Sequence, residues 1–441
     1  MRHIPTSFLL VIAIASGAGA QTTAAPTPLT LEDALERGVA ASLRLREADA
    51  QADAATAVVA QREASSRPQI AAQAGYTRTN HVDEFGVPTP NGQLRIIYPD
   101  VPDNYRTRLD LQWPIYTGGR QSALERAAAT EATAAGALRD AVAEDLRFEI
   151  ALAYWTFVTS LEEVRTTEAA LERTTSYLAE VRNQLDAGVA APNDVLTVEA
   201  QQARERTLVI RSVAHRDSAE ADLARLVGLQ AGARIAPLSR LTDMRPPNPE
   251  AFEVLTAEAR AQRADRAAMV ERVEAARARR AAAAAGMRPT VAVGGGVDYA
   301  QPNPRIFPRQ EEWRSSWDAS VNVAWPLSDG GRTRAEVAEA DALVRASEAR
   351  LDEFDRVLAV EIGHRLRDIT ASRAAVEASE TGVRAATEAR RVAGDRFAAG
   401  VATNTDVLVA QSALLQAELD RAEALAAARV ADARLDRVLG R

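Results

Sequence analysis

No proline interrupts the chain between Ile115 and Ala191 or anywhere after Pro326, and both stretches are dominated by alanine, glutamate, arginine and leucine. These are strong helix formers, and the residue that would break a helix is missing. In the first stretch Leu146, Ile150, Tyr154, Phe157, Leu161 and Val164 recur every three or four residues; in the second Leu351, Phe354, Leu358, Ile362, Leu366 and Ile369 do so. Each stripe is a packing seam. The spacing predicts long helices over 119–186 and 331–398, rods of roughly 100 Å at the standard rise. No compact domain calls for such a rod.

Each rod ends in the same device. Leu185-Asp186-Ala187-Gly188-Val189-Ala190-Ala191-Pro192-Asn193-Asp194 recurs as Phe397-Ala398-Ala399-Gly400-Val401-Ala402-Thr403-Asn404-Thr405-Asp406. Glycine closes one helix in the left-handed conformation, and proline, asparagine, threonine and aspartate open the next. Gly188 and Gly400 lie 212 residues apart, as do Trp113-Pro114 and Trp325-Pro326, Gly118-Gly119 and Gly330-Gly331, and Gly228 and Gly440. The chain is therefore two tandem copies of one unit. Return helices follow the turns, over 194–227 and 405–439.

Ahead of each rod the periodicity changes to two. After Arg67-Pro68, Ile70, Ala72, Ala74 and Tyr76 alternate with Ala71, Gln73 and Gly75; after a polar loop from about Asn80 to Asn104, Tyr105, Thr107, Leu109, Leu111 and Trp113 alternate with Arg106, Arg108, Asp110 and Gln112. The second copy repeats this after Arg288-Pro289, from Thr290 to Tyr299 and then with Trp317, Ala319, Val321, Val323 and Trp325 on one face. Strand pairs are expected over about 70–113 and 290–325. Two arginines and an aspartate cannot face a dry core. An apolar, aromatic-ended face backed by a charged one suits a water-filled membrane barrel, or locally a wet edge strand of a soluble sandwich. Pro68 and Pro289 lie 221 residues apart, so the first hairpin loop is nine residues longer than the second.

The remaining segments fit around the rods. A capped helix opens at Leu29-Thr30-Leu31-Glu32-Asp33-Ala34-Leu35. Runs at Leu43–Ala64 and 264–285 supply partners for the rods' upper parts, where the return helices do not reach. The chain divides into a leader over 1–20, a first repeat over 21–228, a proline-rich equatorial linker over 229–260 and a second repeat over 261–441. The leader reads as a secretory signal: Arg2, the apolar run Phe8–Ala15 and the small-residue site Ala18-Gly19-Ala20. No other stretch is long and apolar enough for a membrane helix, so any crossing is made by strands, and four cannot close a barrel by themselves.

Composition removes several function classes. The chain has no cysteine, and all 53 basic residues are arginine. Its net charge of -8, with signs mixed along the helices, is not that of a nucleic-acid-binding surface. His3, His81, His215 and His364 are scattered, so no catalytic, metal or cofactor site is expected, and the protein is not expected to be an enzyme.

The order, duplication and spacing of these motifs resemble the TolC family of outer-membrane efflux proteins over essentially the whole mature chain. The carriers are the segment Leu29–Leu35, Arg67-Pro68, Trp113-Pro114-Ile115-Tyr116-Thr117-Gly118-Gly119-Arg120 with its copy at Trp325, and the two Gly-Val turns. The resemblance implies a mainly α protein with membrane β-structure: a homotrimer in which four strands per chain form a twelve-stranded barrel in outer-membrane lipid, continued by a periplasmic α-helical tunnel. It implies a passive exit duct for small molecules, joined through a periplasmic adaptor to an inner-membrane pump. Type I protein secretion is the alternative within the family, and a trimeric stalk or adhesin the alternative outside it.

Trp113, Pro114, Gly118, Gly119, Trp325, Pro326, Gly330 and Gly331 would form the strand–helix junctions. Gly188, Val189, Ala190, Gly400, Val401 and Ala402 would be the adaptor-docking tips. Asp406, with Asp194 nearby, would line the periplasmic constriction, although both aspartates also suit a helix start. Val409 replaces a second ring aspartate, Phe397 a latching tyrosine and Ala402 an arginine, so the closed tip is expected to rely on packing.

Overall fold

The computed structural model describes residues 26–246 and 251–441; the leader read over 1–20 lies outside the described residues. The first repeat contains β1 (Thr27–Leu29), α1 (Leu31–Ala41), α2 (Leu43–Ala64), β2 (Gln69–Arg78), β3 (Phe85–Pro88), β4 (Leu94–Tyr98), β5 (Asp103–Tyr116), α3 (Arg120–Asp186) and α4 (Pro192–Leu226). After β6 (Ile235–Pro237) the plan returns as α5 (Phe252–Gln262), α6 (Ala264–Ala284), β7 (Thr290–Gln301), β8 (Arg314–Ala324), α7 (Arg332–Ala398) and α8 (Asn404–Leu439).

Two differences from the sequence reading have physical causes. The loop from about Asn80 to Asn104 holds the β3–β4 hairpin, turned at Asn91-Gly92 with Gly92 at φ 77°. The interspersed prolines hid its short alternation, although Asn-Gly is a hairpin signal. Although proline-free, helix-forming sequence opens directly after each Trp-Pro, helix does not follow it at once. β5 runs on to Tyr116 across a register shift between Pro114 and Tyr116, which accommodates a residue without an N–H, and both rods start beyond paired glycines. The boundary at 261 also falls inside α5, the counterpart of α1.

Four strands form one antiparallel sheet in the order β2-β5-β7-β8, and β1 and β6 form a parallel pair. Below the middle of the rods the helices pack in the order α4-α3-α8-α7; above it, α2-α3-α6-α7. The largest core lies where these layers change over, around Leu29, Ile150, Tyr154, Phe157, Leu223, Ile235 and Leu425. The buried Tyr154 hydroxyl donates to the Leu29 carbonyl at 3.0 Å and accepts from the Ser239 N–H at 3.1 Å, tying the β1–β6 belt to α3. Arg429 lies over the Trp155 ring 4.4 Å from its centroid.

Candidate functional site

Three parts of the chain carry the candidate chemistry: the sheet faces, the junctions and the tips. On one sheet face Ile70, Leu109, Val297, Tyr299, Trp317 and Val321 are exposed, with an aromatic group of Tyr76, Tyr105, Tyr299 and Trp313 near the loop end. The opposite face carries a charge network. Arg108 pairs with Asp110 at 2.6 Å, with Asp318 at 3.0 Å and with Asp298; Arg106 holds Asp298 at 2.6 Å, and Arg305 holds Asp318 at 3.0 Å. Three arginines balance three aspartates across β5, β7, β8 and the β7–β8 loop. An apolar face left exposed while the opposite face satisfies its charges is the pattern of a wall with lipid on one side and water on the other.

At the junctions the Trp113 indole donates to the Ser66 carbonyl, and the Trp325 indole to the Met287 carbonyl, both at 3.2 Å. Pro114 lies within β5, whereas Pro326 lies beyond β8. Gly118, Gly119, Gly330 and Gly331 have φ of 65°, 86°, 67° and 92°, which side-chain-bearing residues resist. Gly119 and Gly331 are the residues from which α3 and α7 start.

The tips are matched Schellman turns. Val189 N donates to the Gln184 carbonyl at 2.8 Å and Gly188 N to that of Leu185 at 2.9 Å; Val401 and Gly400 donate to Arg396 and Phe397, both at 2.9 Å. Val189 and Val401 point to solvent at the apices, as does Val409 one turn into α8, while Ala190 packs against the buried cluster and Ala402 is half-buried. Asp406 accepts from the Thr403 N–H and hydroxyl, both at 2.8 Å, completing a capping box with Thr403 as N-cap. Those donors, the backbone N–H first, hold its carboxyl below the ordinary 3.8. Asp194 makes half of this arrangement, accepting from Ala191 N at 3.2 Å, because Ala191 has no side-chain acceptor to return.

Between the tips lies a link that the sequence reading missed. The Tyr177 hydroxyl on α3 donates to Asn404 Oδ1 at 2.8 Å, and Asn404 Nδ2 donates to the Asp194 carbonyl at 3.1 Å. One buried amide thus joins the starts of α4 and α8 to α3. Burial, then the charges of Glu180 and Asp194, push the Tyr177 phenol well above its ordinary range, so it remains a neutral donor. Phe397 packs edge-on to Tyr177 with ring centroids 5.7 Å apart, and Leu178, Val181, Val195, Val198, Val407 and Leu408 complete the cluster. The packed cluster at the tips is accompanied by a polar clamp that passes through it. The residues it joins are 227 positions apart, and asparagine just after a turn reads as a cap, so no local signal marks it.

Further up, the carboxylate of Glu205 on α4 is 2% exposed; Gln201 Nε2 donates to its Oε1 at 2.9 Å, and its Oε2 has no partner among the described residues. No grouping of His, Cys, Asp or Glu able to hold a metal occurs among the described residues, and no described helix is long and apolar enough to cross a membrane.

The profile of the outer membrane efflux proteins matches residues 34–229 and 255–441. Protein CyaE of Bordetella pertussis is 28% identical over 397 residues, covering 88% of this chain and 79% of CyaE. Among solved structures, CusC superposes with a TM-score of 0.80 at 16% identity, covering 93% of this chain and 92% of CusC. The outer membrane protein VceC of Vibrio cholerae superposes with a TM-score of 0.77 at 22% identity, covering 93% and 96%. With the profile spanning both repeats and the fold shared from belt to tips, the chain belongs to the outer membrane efflux protein family.

Proposed function

We propose that three copies of this outer-membrane channel close their four-stranded sheets into one twelve-stranded barrel, and that the rods continue its bore into the periplasm as a passive exit duct. The observation that carries the reading is the sheet itself: apolar outside, charge-balanced on the other face, and unpaired along both β2 and β8. An unpaired strand edge in lipid is too costly to persist, so each must meet another. The tips are where the duct closes and where a periplasmic adaptor docks to connect it to an inner-membrane pump. Exposed Val189 and Val401 supply apolar contacts there, and the Tyr177–Asn404–Asp194 clamp holds the resting state. Asp406 lines the constriction while capping α8. Planar-bilayer conductance of the mature protein, with its mass in detergent, tests the reading. A conducting trimer whose current rises in Asn404→Ala supports duct and clamp; a non-conducting monomer overturns both.

A further inference from the structure

The two hairpins of the main sheet share a glycine and differ in what surrounds it. Adding 221 to positions in β2 and 212 to positions in β5 carries Gly75 opposite Arg106 to Gly296 opposite Asp318, both observed pairs. Thr77 maps to Asp298 in the same way. Both sets stand on the charged face, and the space at Gly296 is taken: a Cβ there would meet Arg108 Nη2 at 2.7 Å. The missing side chain makes room for that guanidinium, which lies among Asp110, Asp298 and Asp318.

The first hairpin keeps the cradle and reverses its charge. Arg106 stands in the place of Asp318 and the Thr77 hydroxyl in that of Asp298, while nothing lies within 4 Å of a Gly75 Cβ. Nor does the plan of the repeat supply an occupant, because the counterpart of Arg108 is Ser320. Gly75, Thr77 and Arg106 instead line a cavity of about 300 Å³, to which the β7–β8 loop brings Arg309. Both arginines have capacity left. Arg106 gives Asp298 its Nε alone, at 2.6 Å, and Arg108 holds that aspartate as well, so neither Nη of Arg106 has a partner among the described residues. Arg309 donates to the Tyr98 hydroxyl at 3.1 Å and to Asn104 Oδ1 at 3.4 Å, lies over the Tyr98 ring, and pairs with no carboxylate among the described residues. Its charge meets only neutral groups. Two guanidinium groups with donors to spare, a hydroxyl and an open glycine form a receptor for an oxyanion, just as the three aspartates around Gly296 form one for a guanidinium.

We propose that this cavity binds a small soluble oxyanion, a phosphate or the carboxylate of a solute, between Arg106 and Arg309 over Gly75. The cavity opens on the charged face of the sheet and not on the apolar one, which points to an anion in water and not to a lipid headgroup. All four residues belong to one chain, so the site stands whether or not several chains close a ring. In the proposed duct it sets a basic station at the loop end of the bore, opposite in sign to Asp406 at the tips.

The test uses the full mature protein in a maltoside detergent, which carries no phosphate, with inorganic phosphate as the probe at constant ionic strength. Exchange between free and bound phosphate broadens its phosphorus resonance in proportion to the bound fraction. Arg309→Gln and Gly75→Asp, the second placing a carboxylate in the cradle, are each expected to weaken binding about ten-fold. Arg95→Gln, at an exposed arginine of β4 outside the cavity, is expected to leave it unchanged. Excess acetate is expected to compete with phosphate, and lipopolysaccharide micelles are not. Broadening that survives both cavity variants, or that the wild type does not produce, overturns the site; displacement of phosphate by lipopolysaccharide overturns the soluble source. A non-conducting monomer that still binds phosphate through Arg309 supports the site and sinks the duct.

Discussion

α3 and α7 are each 67 residues long and derive from the same repeated unit, yet α3 buries nineteen residues and α7 four. The cause is position. α3 has helices on both sides, α4 and α8 below, α2 and α6 above; within the chain α7 packs on α8 below and α6 above on one side only, with the short α5 against its middle. The sequences have followed their surroundings: Tyr154 and Tyr177 of α3 correspond to Leu366 and Ala389 of α7. The return helices repeat the contrast, with Leu408 of α8 packed in the tip cluster and its equivalent, Leu196 of α4, exposed. Duplication supplied two equal rods, and within one chain they have different neighbours.

The largest expected difference between the rods is at the belt. Tyr154→Ala removes a fully buried ring and a hydroxyl with two partners, and is expected to cost about 3–5 kcal/mol, read as a lowered thermal midpoint. Leu366→Ala is expected to cost less than half as much, and equal losses would break the comparison. At the tip, Asn404→Ala leaves the Tyr177 hydroxyl and the Asp194 carbonyl without their partner, an expected loss of about 1–3 kcal/mol, accompanied by faster amide exchange in both turns. Pro192→Ala, at the equivalent position, is expected to leave exchange in the other tip unchanged.

Glu205→Gln should act in the opposite direction. Removing a buried, half-satisfied charge is expected to stabilise the α3–α4 pair by about 1 kcal/mol, whereas the equivalent position in α8 is already Ala417. A lower midpoint would show that the folded α3–α4 pair needs the carboxylic group there. The smallest effect is the pH response of the second turn. The carboxyl of Asp406 is depressed in the folded state, so its contribution is complete above 3.8 and is lost as pH falls through the lower folded value. Exchange at Gly400 and Val401 is expected to quicken below about pH 4, and Asp406→Asn should abolish that response.

Much of this was legible because it is local or repeated. Proline spacing bounded the rods, alternation located the strands of the main sheet, and the 212-residue offset found both turns and both junctions. What stayed hidden depends on which helix lies beside which. Glu205 reads as an ordinary surface charge on α4 until packing encloses it. Asn404 reads as part of a helix start until Tyr177 arrives from 227 residues away. Arg108 was assigned to the wet face beside Asp110, but its other two aspartate partners come from β7 and β8, whose registers no single strand specifies.

The two indoles bear on the lipid as well. Trp113 and Trp325 are fastened by their N–H groups to backbone carbonyls at the foot of the sheet, so neither ring can slide along the bilayer normal to suit the lipid around it. From Trp113 to Tyr105 is about 26 Å of strand, roughly 20 Å of height once tilted. A rigid band that short meets a thicker hydrocarbon layer without yielding. In the proposed barrel it is the membrane that would adjust, its acyl chains drawn into a thinned collar around the protein.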